Sequence, residues 1–200
     1  MGSCDTCERV HAMKAVLRRE YIKKRGNLPE AECAALSSRI CRRVFDSSEY
    51  KNASTILLYK AYNNEVDTDL IFERARFDGK KVAYPVSDIV DRKPCLKFYE
   101  VKSHDQFVTG YRGISEPDPA KDCTLFEGCA DLCIVPGVVF DRNCHRIGYG
   151  KGFYDRYISL KDPHIIIGLA YDMQIADDFD TEECDRAVDM VITENGIYYR

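Results

Sequence analysis

The sequence contains no hydrophobic run long enough to cross a bilayer. Its longest apolar stretches, around Leu132 to Phe140 and Ile165 to Ala170, fall far short of the ~18 residues that a spanning helix needs, which excludes a membrane-spanning protein. The first twenty residues also lack the basic and then apolar layout of a secretory signal, and they carry acidic residues that a mitochondrial presequence avoids. We therefore expect a cytoplasmic protein without a membrane partner.

An excess of positive charge is also absent. The 200 residues include 29 Lys and Arg against 33 Asp and Glu, for a net charge of -4. Proteins that bind the nucleic-acid backbone usually carry a basic excess. We therefore expect no nucleic-acid partner, and any anion-binding site must be local.

Internal repeats, low-complexity tracts and Ser/Gly linkers are missing as well. A chain of this length with 45% hydrophobic residues can build one core. We predict a flexible N-terminus over residues 1–9 and a single domain over residues 10–200, present as a monomer.

Histidine is scarce, and nothing pairs one of the four histidines with a Ser or Cys nucleophile.

Cysteine is more frequent, with ten residues, but a chain with this apolar content needs no disulfide scaffold, so we expect reduced thiols. Cys4 and Cys7 form a CxxC motif with His11 nearby, but zinc needs four ligands and Cys123, Cys129, Cys133 and Cys144 offer no second pair at ligand spacing, so a structural zinc site is not the expectation. The stretch from Met1 to Thr6 also fits the loose pattern for myristoylation, with Cys4 open to palmitoylation. An ordinary frayed start is the simpler explanation.

The hydrophobic periodicity predicts an α/β fold. Apolar residues at helical spacing predict helices over 10–24 and 29–45. Short buried strands that alternate with helices are typical of a parallel sheet covered on both faces. We predict a single three-layer, Rossmann-like domain with a mostly parallel central sheet flanked by helices. The remaining elements are strands over 55–59, 81–84 (ending at Pro85), 96–101, 132–135, 138–140 and 165–169, and helices over 68–76 and 153–160.

The densest signal for function is a glycine-rich turn between a buried strand and a helix. Gly148, Gly150 and Gly152 alternate with other residues, which lets backbone N–H groups approach an anion, and the following helix presents its positive N-terminal end. Arg146 and Lys151 add two cations, a combination that suits polyphosphate. A tight strand-to-helix turn without a ligand is the alternative.

The glycine spacing separates this turn from the standard nucleotide motifs. It is GxGxG rather than the GxGxxG of dinucleotide-binding folds, and Lys151 is not followed by the Ser or Thr of a P-loop. Asp155 falls in the first turn of the next helix, where its carboxylate could hold Mg²⁺ beside bound phosphates. Stabilisation of the helix N-terminus is its other possible role.

Several segments together resemble, in order along the chain, the motifs of 5-formyltetrahydrofolate cyclo-ligases, also called methenyltetrahydrofolate synthetases. The resemblance covers about residues 10–195. The segments are Lys14 to Arg18 (KxxLR), Glu65 to Thr68 (ExxT), Gly110 to Pro117 (GxxGIxEP), Pro136 to Asp141 (PGVVFD) and the glycine-rich stretch from Arg146 to Arg156.

The resemblance implies an ATP- and Mg²⁺-dependent ligase. It would convert 5-formyltetrahydrofolate, with or without a polyglutamate tail, to 5,10-methenyltetrahydrofolate and release ADP and phosphate. The formyl oxygen is a poor leaving group, so ATP first phosphorylates it, and N10 of the folate then closes the ring as phosphate departs. Such chemistry needs cations, a metal and a phosphate cradle rather than a nucleophilic triad.

The resemblance also implies roles for individual residues. Arg146 and Lys151 are the expected catalytic cations, and Asp155 and Asp189 are the expected metal ligands. For the other positions, a solvated helix face, an ordinary loop or a core position is the alternative. The expected ATP-binding residues are Lys14, Arg18, Arg146, Gly148, Gly150, Lys151 and Gly152, and the expected folate-binding residues are Lys60, Glu65, Tyr149, Phe153 and Tyr154.

Two positions depart from the family pattern. Phe153 and Tyr154 stand where paired tyrosines are common, and Val86 follows Pro85 where a basic residue is common. The missing hydroxyl at Phe153 leaves open a folate- or nucleotide-binding carrier or regulator without turnover. A nucleotide-dependent oxidoreductase is a further alternative, disfavoured by the glycine spacing.

Overall fold

The computed structural model describes residues 3–200, with side chains from Cys7 onward, and has an α/β fold. The helices are α1 (Ser3–Gly26), α2 (Glu30–Asp46), α3 (Ser48–Asn52), α4 (Asp69–Phe77) and α5 (Phe153–Lys161). The strands are β1 (Thr55–Leu57), β2 (Lys81–Val90), β3 (Lys93–Glu100), β4 (Phe107–Thr109), β5 (Ser115–Pro117), β6 (Thr124–Leu125), β7 (Leu132–Pro136), β8 (Val139–Asp141), β9 (Arg146–Ile147), β10 (Ile165–Leu169), β11 (Ile175–Ala176), β12 (Met190–Ile192) and β13 (Ile197–Tyr199).

The central sheet has eight strands in the order β13-β12-β10-β7-β1-β2-β3-β6. The five strands from β12 to β2 pair in parallel, and antiparallel pairs complete both edges. The carboxyl ends of the parallel strands therefore lie side by side at the same end of the strands, which is where open α/β sheets usually bind ligands. Two smaller groups, β11-β8-β9 and β4-β5, lie outside this sheet.

Alternation along the strands divides the core into two layers. Leu132 and Ile134 of β7 pack toward one face, together with α2, α3 and α4, whereas Cys133 and Val135 pack toward the other face, with α5. All four side chains are fully buried. The helices therefore cover both faces of the sheet, and the predicted three-layer arrangement with a mostly parallel sheet is confirmed.

Helix α1 packs against the small sheet rather than the large one. Tyr21 of α1 contacts a third apolar cluster that includes Val138, Val139 and Ile147. These residues flank the turn that joins β7 to β8 and the start of the glycine-rich segment. Because of this packing, the polar face of α1 lies at the carboxyl ends of the central strands.

Several predicted boundaries differ from the structure, two of them by five residues or more. Helix α1 begins at Ser3 instead of residue 10. Strand β2 continues past Pro85 to Val90, because it pairs with β3 as a hairpin in which Pro85 lies opposite Phe98. Beyond Ala83 this strand no longer pairs with β1, and such an edge position tolerates a residue that cannot donate a backbone hydrogen bond.

No helix in the described part of the chain is long and apolar enough to cross a membrane. No disulfide joins two of the cysteines whose side chains are described. The lipidation pattern falls on Met1, Gly2 and the side chain of Cys4, which lie outside the described residues.

Candidate active site

A cavity of about 890 Å³ lies at the carboxyl ends of the central parallel strands. Tyr59 and Lys60 reach it just after β1, and Pro136 and Gly137 reach it at the end of β7. Helix α1, the glycine-rich turn, the start of α5 and residues 182–186 form the remaining walls. Every residue predicted from the sequence for the site lines this cavity, with the exception of Asp189.

Asp189 lies at the opposite edge of the sheet. It comes directly before β12, and its carboxylate accepts a hydrogen bond from the backbone N–H of Ile166 at 2.7 Å, at the beginning of β10. It borders a separate, smaller pocket. The backbone N–H of Arg186, three residues before Asp189, donates to Asp155 at 3.3 Å, but no contact joins the two carboxylates within the described chain.

The glycine-rich turn connects β9 to α5. Gly150 and Gly152 adopt positive φ values of 87° and 67°, which favour glycine. A Cβ atom on Gly150 would also lie 3.2 Å from Cζ of Arg18, whose Nε donates to the carbonyl of Gly148 at 2.7 Å. The turn therefore needs glycine both for its backbone shape and for the close approach of Arg18.

The N-terminus of α5 carries an ion pair and an unpaired lysine. Nη2 of Arg146 donates to Oδ1 of Asp155 at 2.7 Å, and the Arg146 guanidinium lies 5.6 Å from the centre of the Tyr154 ring. Arg146 is 94% buried by these contacts. Lys151 is exposed to the cavity and has no carboxylate partner among the described residues. The two predicted cations thus differ, since Arg146 is fixed and Lys151 is free to meet a ligand.

Lys14 is held by two carboxylates from the loop before β12. Its Nζ lies 2.7 Å from Glu182 and 2.5 Å from Asp185. Burial alone would lower the pKa of Lys14, but the two acidic partners outweigh burial and raise the pKa above its ordinary value. Lys14 is therefore a charged group at the cavity wall whose charge is balanced by two carboxylates. It does not lie on a solvated helix face, which was the alternative considered from the sequence.

A buried carboxylate, Glu65, lies at the other end of the cavity. Its Oε2 accepts a hydrogen bond from the backbone N–H of Tyr62 at 3.0 Å, and its Oε1 is buried without a hydrogen bond to any described residue, although the Arg25 guanidinium and the Tyr149 hydroxyl lie nearby. Burial raises the pKa of Glu65 to about 7, although the nearby Arg25 guanidinium opposes the rise. An orphaned buried oxygen beside a cavity fits a site that takes hydrogen-bond donors from a ligand.

Arg25 is the main site residue that sequence analysis missed. It is 99% buried, and its guanidinium donates to the hydroxyl of Tyr149 at 2.5 Å and to the carbonyl of Gly137 at 3.1 Å. A signal was present, because Arg25 follows Arg18 by seven residues, or about two helical turns, and so shares its face of α1.

Aromatic rings line the cavity between Glu65 and the glycine-rich turn. Tyr149 meets Tyr62 edge to face at 6.2 Å, and Phe153 meets Tyr111 in the same way at 6.1 Å. Such rings can pack on a flat ligand. Lys60 also reaches the cavity, where it pairs with Asp69 and lies 5.3 Å from the Phe107 ring.

The segment that contains Tyr111 is held by a second buried carboxylate. Glu116 accepts backbone hydrogen bonds from Ser87 at 3.0 Å and from Tyr111 at 3.2 Å, which ties the 110–117 segment to strand β2. Pro85 and Ser87 face the cavity and Val86 does not, as the two-residue period of a strand requires. The departure at Val86 therefore leaves the cavity lining unchanged.

Comparison with known proteins gives one family throughout. A family model described as the 5-formyltetrahydrofolate cyclo-ligase family matches residues 10–194. The 5-formyltetrahydrofolate cyclo-ligase of Mus musculus is 26% identical over 195 residues, which cover 93% of this chain and 96% of the relative. The enzyme of the same name from Haemophilus influenzae is 28% identical over 171 residues, covering 84% of this chain and 91% of the relative.

Two solved structures share the fold over most of their length. The NMR structure of 5,10-methenyltetrahydrofolate synthetase from Aquifex aeolicus matches with a TM-score of 0.78 and 28% identity, covering 94% of this chain and 92% of that one. The 5,10-methenyltetrahydrofolate synthetase from Mycoplasma pneumoniae matches with a TM-score of 0.70 and 26% identity, covering 90% of this chain and 98% of that one.

Proposed function

The chain belongs to the 5-formyltetrahydrofolate cyclo-ligase family, and from this premise we propose that it converts 5-formyltetrahydrofolate to 5,10-methenyltetrahydrofolate at the expense of ATP. The observation that carries the proposal is one cavity with two chemically different ends. A glycine-rich turn with cations suits a polyphosphate at one end, and a buried carboxylate among aromatic rings suits a pterin at the other.

The reaction needs both ligands in one cavity. The formyl oxygen attacks the γ-phosphorus of ATP, the bond from that phosphorus to the β-phosphate oxygen breaks, and ADP leaves. N10 then attacks the formyl carbon and loses its proton, and the phosphorylated oxygen departs as phosphate. Neither step uses a protein nucleophile, so the chain contributes positioning and charge neutralisation.

The phosphate end combines fixed and mobile cations. Arg18, bonded to the carbonyl of Gly148, and Arg146, bonded to Asp155, are held in place before a ligand arrives. Lys151 extends into the cavity from the turn. The nine-residue helix α5 adds its positive end. We assign Arg146 and Lys151 to the transferred phosphoryl group and the backbone of residues 148–152 to the other phosphates.

Lys14 completes the phosphate end. Its ammonium group lines the cavity but is paired with Glu182 and Asp185. Phosphate oxygens would compete with these carboxylates for its three N–H donors. We therefore assign Lys14 to ATP together with Arg18.

Asp155 suits a magnesium ion that is bound mainly by phosphates. Mg²⁺ commonly keeps several waters and takes only one or two protein carboxylates beside substrate phosphates. Asp155 is partly exposed at the cavity wall, and Arg146 occupies its Oδ1 while no contact is found for its Oδ2 within the described chain. When bound, Mg²⁺ would neutralise phosphate charge, and Asp155 would hold it near the turn. We leave Asp189 out of this site because of its position at the opposite edge of the sheet.

The folate end is built around Glu65. The free Oε1 can accept N–H donors of the pterin ring, and Tyr149, which Arg25 fixes, can pack on the ring system together with Phe153. Tyr154 is wedged between the core and Arg146, so it supports the cavity wall. Lys60 also lines the cavity and can meet a carboxylate of the substrate if it leaves Asp69.

The first experiment follows the absorbance of the methenyl product in the near-ultraviolet. The purified protein is mixed with 5-formyltetrahydrofolate, ATP and Mg²⁺, and each component is omitted in turn. The proposal predicts product only with the complete mixture, in amounts that match the ADP released. Binding of both ligands without product would instead establish a carrier or regulator, and binding of a nicotinamide cofactor would favour an oxidoreductase.

A further inference from the structure

A further group of polar side chains borders the cavity where the start of α1 meets the loop before β12. Cys7 and His11 are four residues apart in α1, so they share one face of the helix. Glu182 reaches both from the loop, with Oε1 3.4 Å from Cys7 Sγ and 3.2 Å from His11 Nε2. The three ligand atoms, one from each residue, all lie within 4.8 Å of one another.

These spacings match the edges of a tetrahedral metal site. With Zn–S near 2.3 Å and the bonds to N and O near 2.0–2.1 Å, a tetrahedron places sulfur and oxygen about 3.5 Å apart and nitrogen and oxygen about 3.3 Å apart. The observed 3.4 Å and 3.2 Å agree with both values. Sγ of Cys7 lies 3.9 Å from Nδ1 of His11, the ring nitrogen that does not contact Glu182, so the imidazole must turn for one nitrogen to bind the ion. Thiolate and imidazole are, moreover, the ligand types that select zinc and similar cations over Mg²⁺. We propose that Cys7, His11 and Glu182 bind a zinc ion, with water in the fourth position.

Lys14 provides an independent reason to regard the group as a built site. It binds Oε2 of Glu182, so the carboxylate is held with Oε1 turned toward Cys7 and His11, in the way that outer partners orient metal ligands. The charges also balance. A Cys7 thiolate, Glu182 and Asp185 carry three negative charges, and Lys14 with Zn²⁺ carries three positive ones.

Binding of the ion has a defined proton balance. The S–H bond of Cys7 breaks, a sulfur–zinc bond forms, and the proton passes to the solvent, while His11 binds in its neutral form. No oxidant or reductant takes part. The ion would join α1 to the loop that carries Glu182 and Asp185, and both of these elements form part of the cavity wall.

Cys184 is the other thiol of this loop, and it forms an overlapping group with Glu182 and Asp185. Asp185, however, is bound to Lys14, and this group lacks an imidazole. We therefore place the ion on the side of Cys7 and His11.

The experiment uses cobalt as a spectroscopic substitute for zinc. Tag-free, full-length protein is stripped with a chelator, dialysed and titrated with Co²⁺ in an anaerobic buffer. We expect one ion per chain, a thiolate-to-cobalt charge-transfer band in the near-ultraviolet, visible bands of tetrahedral intensity, and displacement of the cobalt by one equivalent of Zn²⁺ with the release of a proton. Zinc should also raise the Tm of the stripped protein.

Matched variants locate the site. Cys7→Ser should abolish the charge-transfer band, and His11→Gln and Glu182→Gln should each weaken binding roughly tenfold or more. The control is Cys129→Ser, which changes another exposed cysteine at the opposite edge of the sheet and should leave the titration unchanged, as should Cys184→Ser. Circular dichroism checks that each variant is folded.

Two results would overturn the proposal. One is a wild-type spectrum with only the weak bands of octahedral cobalt and no charge-transfer band. The other is a band that survives Cys7→Ser in folded protein, because the thiolate would then come from elsewhere. Neither result depends on the proposed folate chemistry, so the metal site and the enzymatic activity can fail separately.

Discussion

Nη2 of Arg25 lies 3.8 Å from Oε1 of Glu65, and both side chains are more than 90% buried behind the folate end of the cavity. The distance is too long for a hydrogen bond, so the charge of Arg25 acts on Glu65 without satisfying its oxygen. The guanidinium donates instead to Tyr149 and to backbone carbonyls. Oε1 of Glu65 can therefore accept hydrogen bonds from a ligand. Without a ligand, ionisation of the buried carboxyl group is unfavourable.

This arrangement should make the stability of the protein depend on pH. Burial raises the pKa of Glu65 from 4.5 to about 7. Because the pKa is higher in the folded protein than in the unfolded one, folding takes up a proton between these values, and stability falls as the pH rises through that window. Glu65→Gln mimics the protonated carboxyl group. It should raise the free energy of unfolding at pH 8 by up to about 3 kcal/mol while it weakens folate binding.

Denaturant unfolding at pH 8 and pH 5 measures this effect. The advantage of Glu65→Gln should shrink toward zero at the lower pH, where the wild-type carboxyl is itself protonated. The control Glu127→Gln, at an exposed carboxylate, should change stability by less than ~0.5 kcal/mol at either pH. A Glu65→Gln protein that is less stable than the wild type at pH 8 would contradict the burial argument.

Arg25 should control the pH at which the folate site becomes active. Its positive charge lowers the pKa of Glu65, so Arg25→Gln is expected to move the acid limb of kcat/KM for 5-formyltetrahydrofolate to higher pH. Loss of the bond to Tyr149 should also raise KM by roughly tenfold, the value of about one hydrogen bond. Pre-steady-state or steady-state rates between pH 5.5 and 9 measure both quantities.

Two further variants separate charge from hydrogen bonding. Arg25→Lys keeps the charge but not the guanidinium fork, so its acid limb should stay near that of the wild type while KM remains high. Arg19→Gln, at an exposed arginine of the same helix, should change neither. An unmoved acid limb in folded Arg25→Gln would show that Arg25 does not act through Glu65.

The sequence specified the local parts of this site well. The glycine-rich turn depends on neighbouring residues only, since the shape at Gly150 and Gly152 and the start of α5 are determined within a few positions. The apolar periods likewise indicated the buried strands β7 and β10. What the sequence could not give is pairing over long distances, such as Lys14 with Glu182 and Asp185, which lie about 170 residues further on.

The position of Asp189 has the same cause. A local pattern indicates that Asp189 precedes a strand, but only the sheet order and the parallel register of β12 with β10 put it at the amino ends of the strands. Burial of Arg25 is similarly a tertiary result, because its hydrogen-bond partners Asn63, Gly137 and Tyr149 lie 38, 112 and 124 residues further along the chain. The surroundings of residues such as Asp189 and Arg25 therefore depend on distant partners that a local pattern does not specify.

Lys151 is the cation whose removal should affect catalysis without affecting the fold. It is exposed in the cavity and bonded to no carboxylate in the described chain, so Lys151→Ala should lower kcat about 100-fold or more by removing charge stabilisation at the transferred phosphoryl group. The matched control is Lys161→Ala, at an exposed lysine in the last turn of the same helix. Product formation and Tm should both stay near wild type in the control. Near-normal kcat in Lys151→Ala would remove Lys151 from the mechanism.

The two carboxylates that the sequence assigned to one metal should behave differently. Asp155 lies at the phosphate end of the cavity, whereas Asp189 accepts a backbone hydrogen bond at the far edge of the sheet. Asp155→Asn should therefore increase the Mg²⁺ concentration needed for half-maximal activity by roughly tenfold or more, because a neutral amide is a weaker ligand for a hard cation than a carboxylate. Asp189→Asn keeps an oxygen acceptor for the N–H of Ile166, so it should fold and show the wild-type Mg²⁺ titration. An increased Mg²⁺ requirement in Asp189→Asn, with Asp155→Asn unchanged, would reverse the assignment that the sheet topology supports.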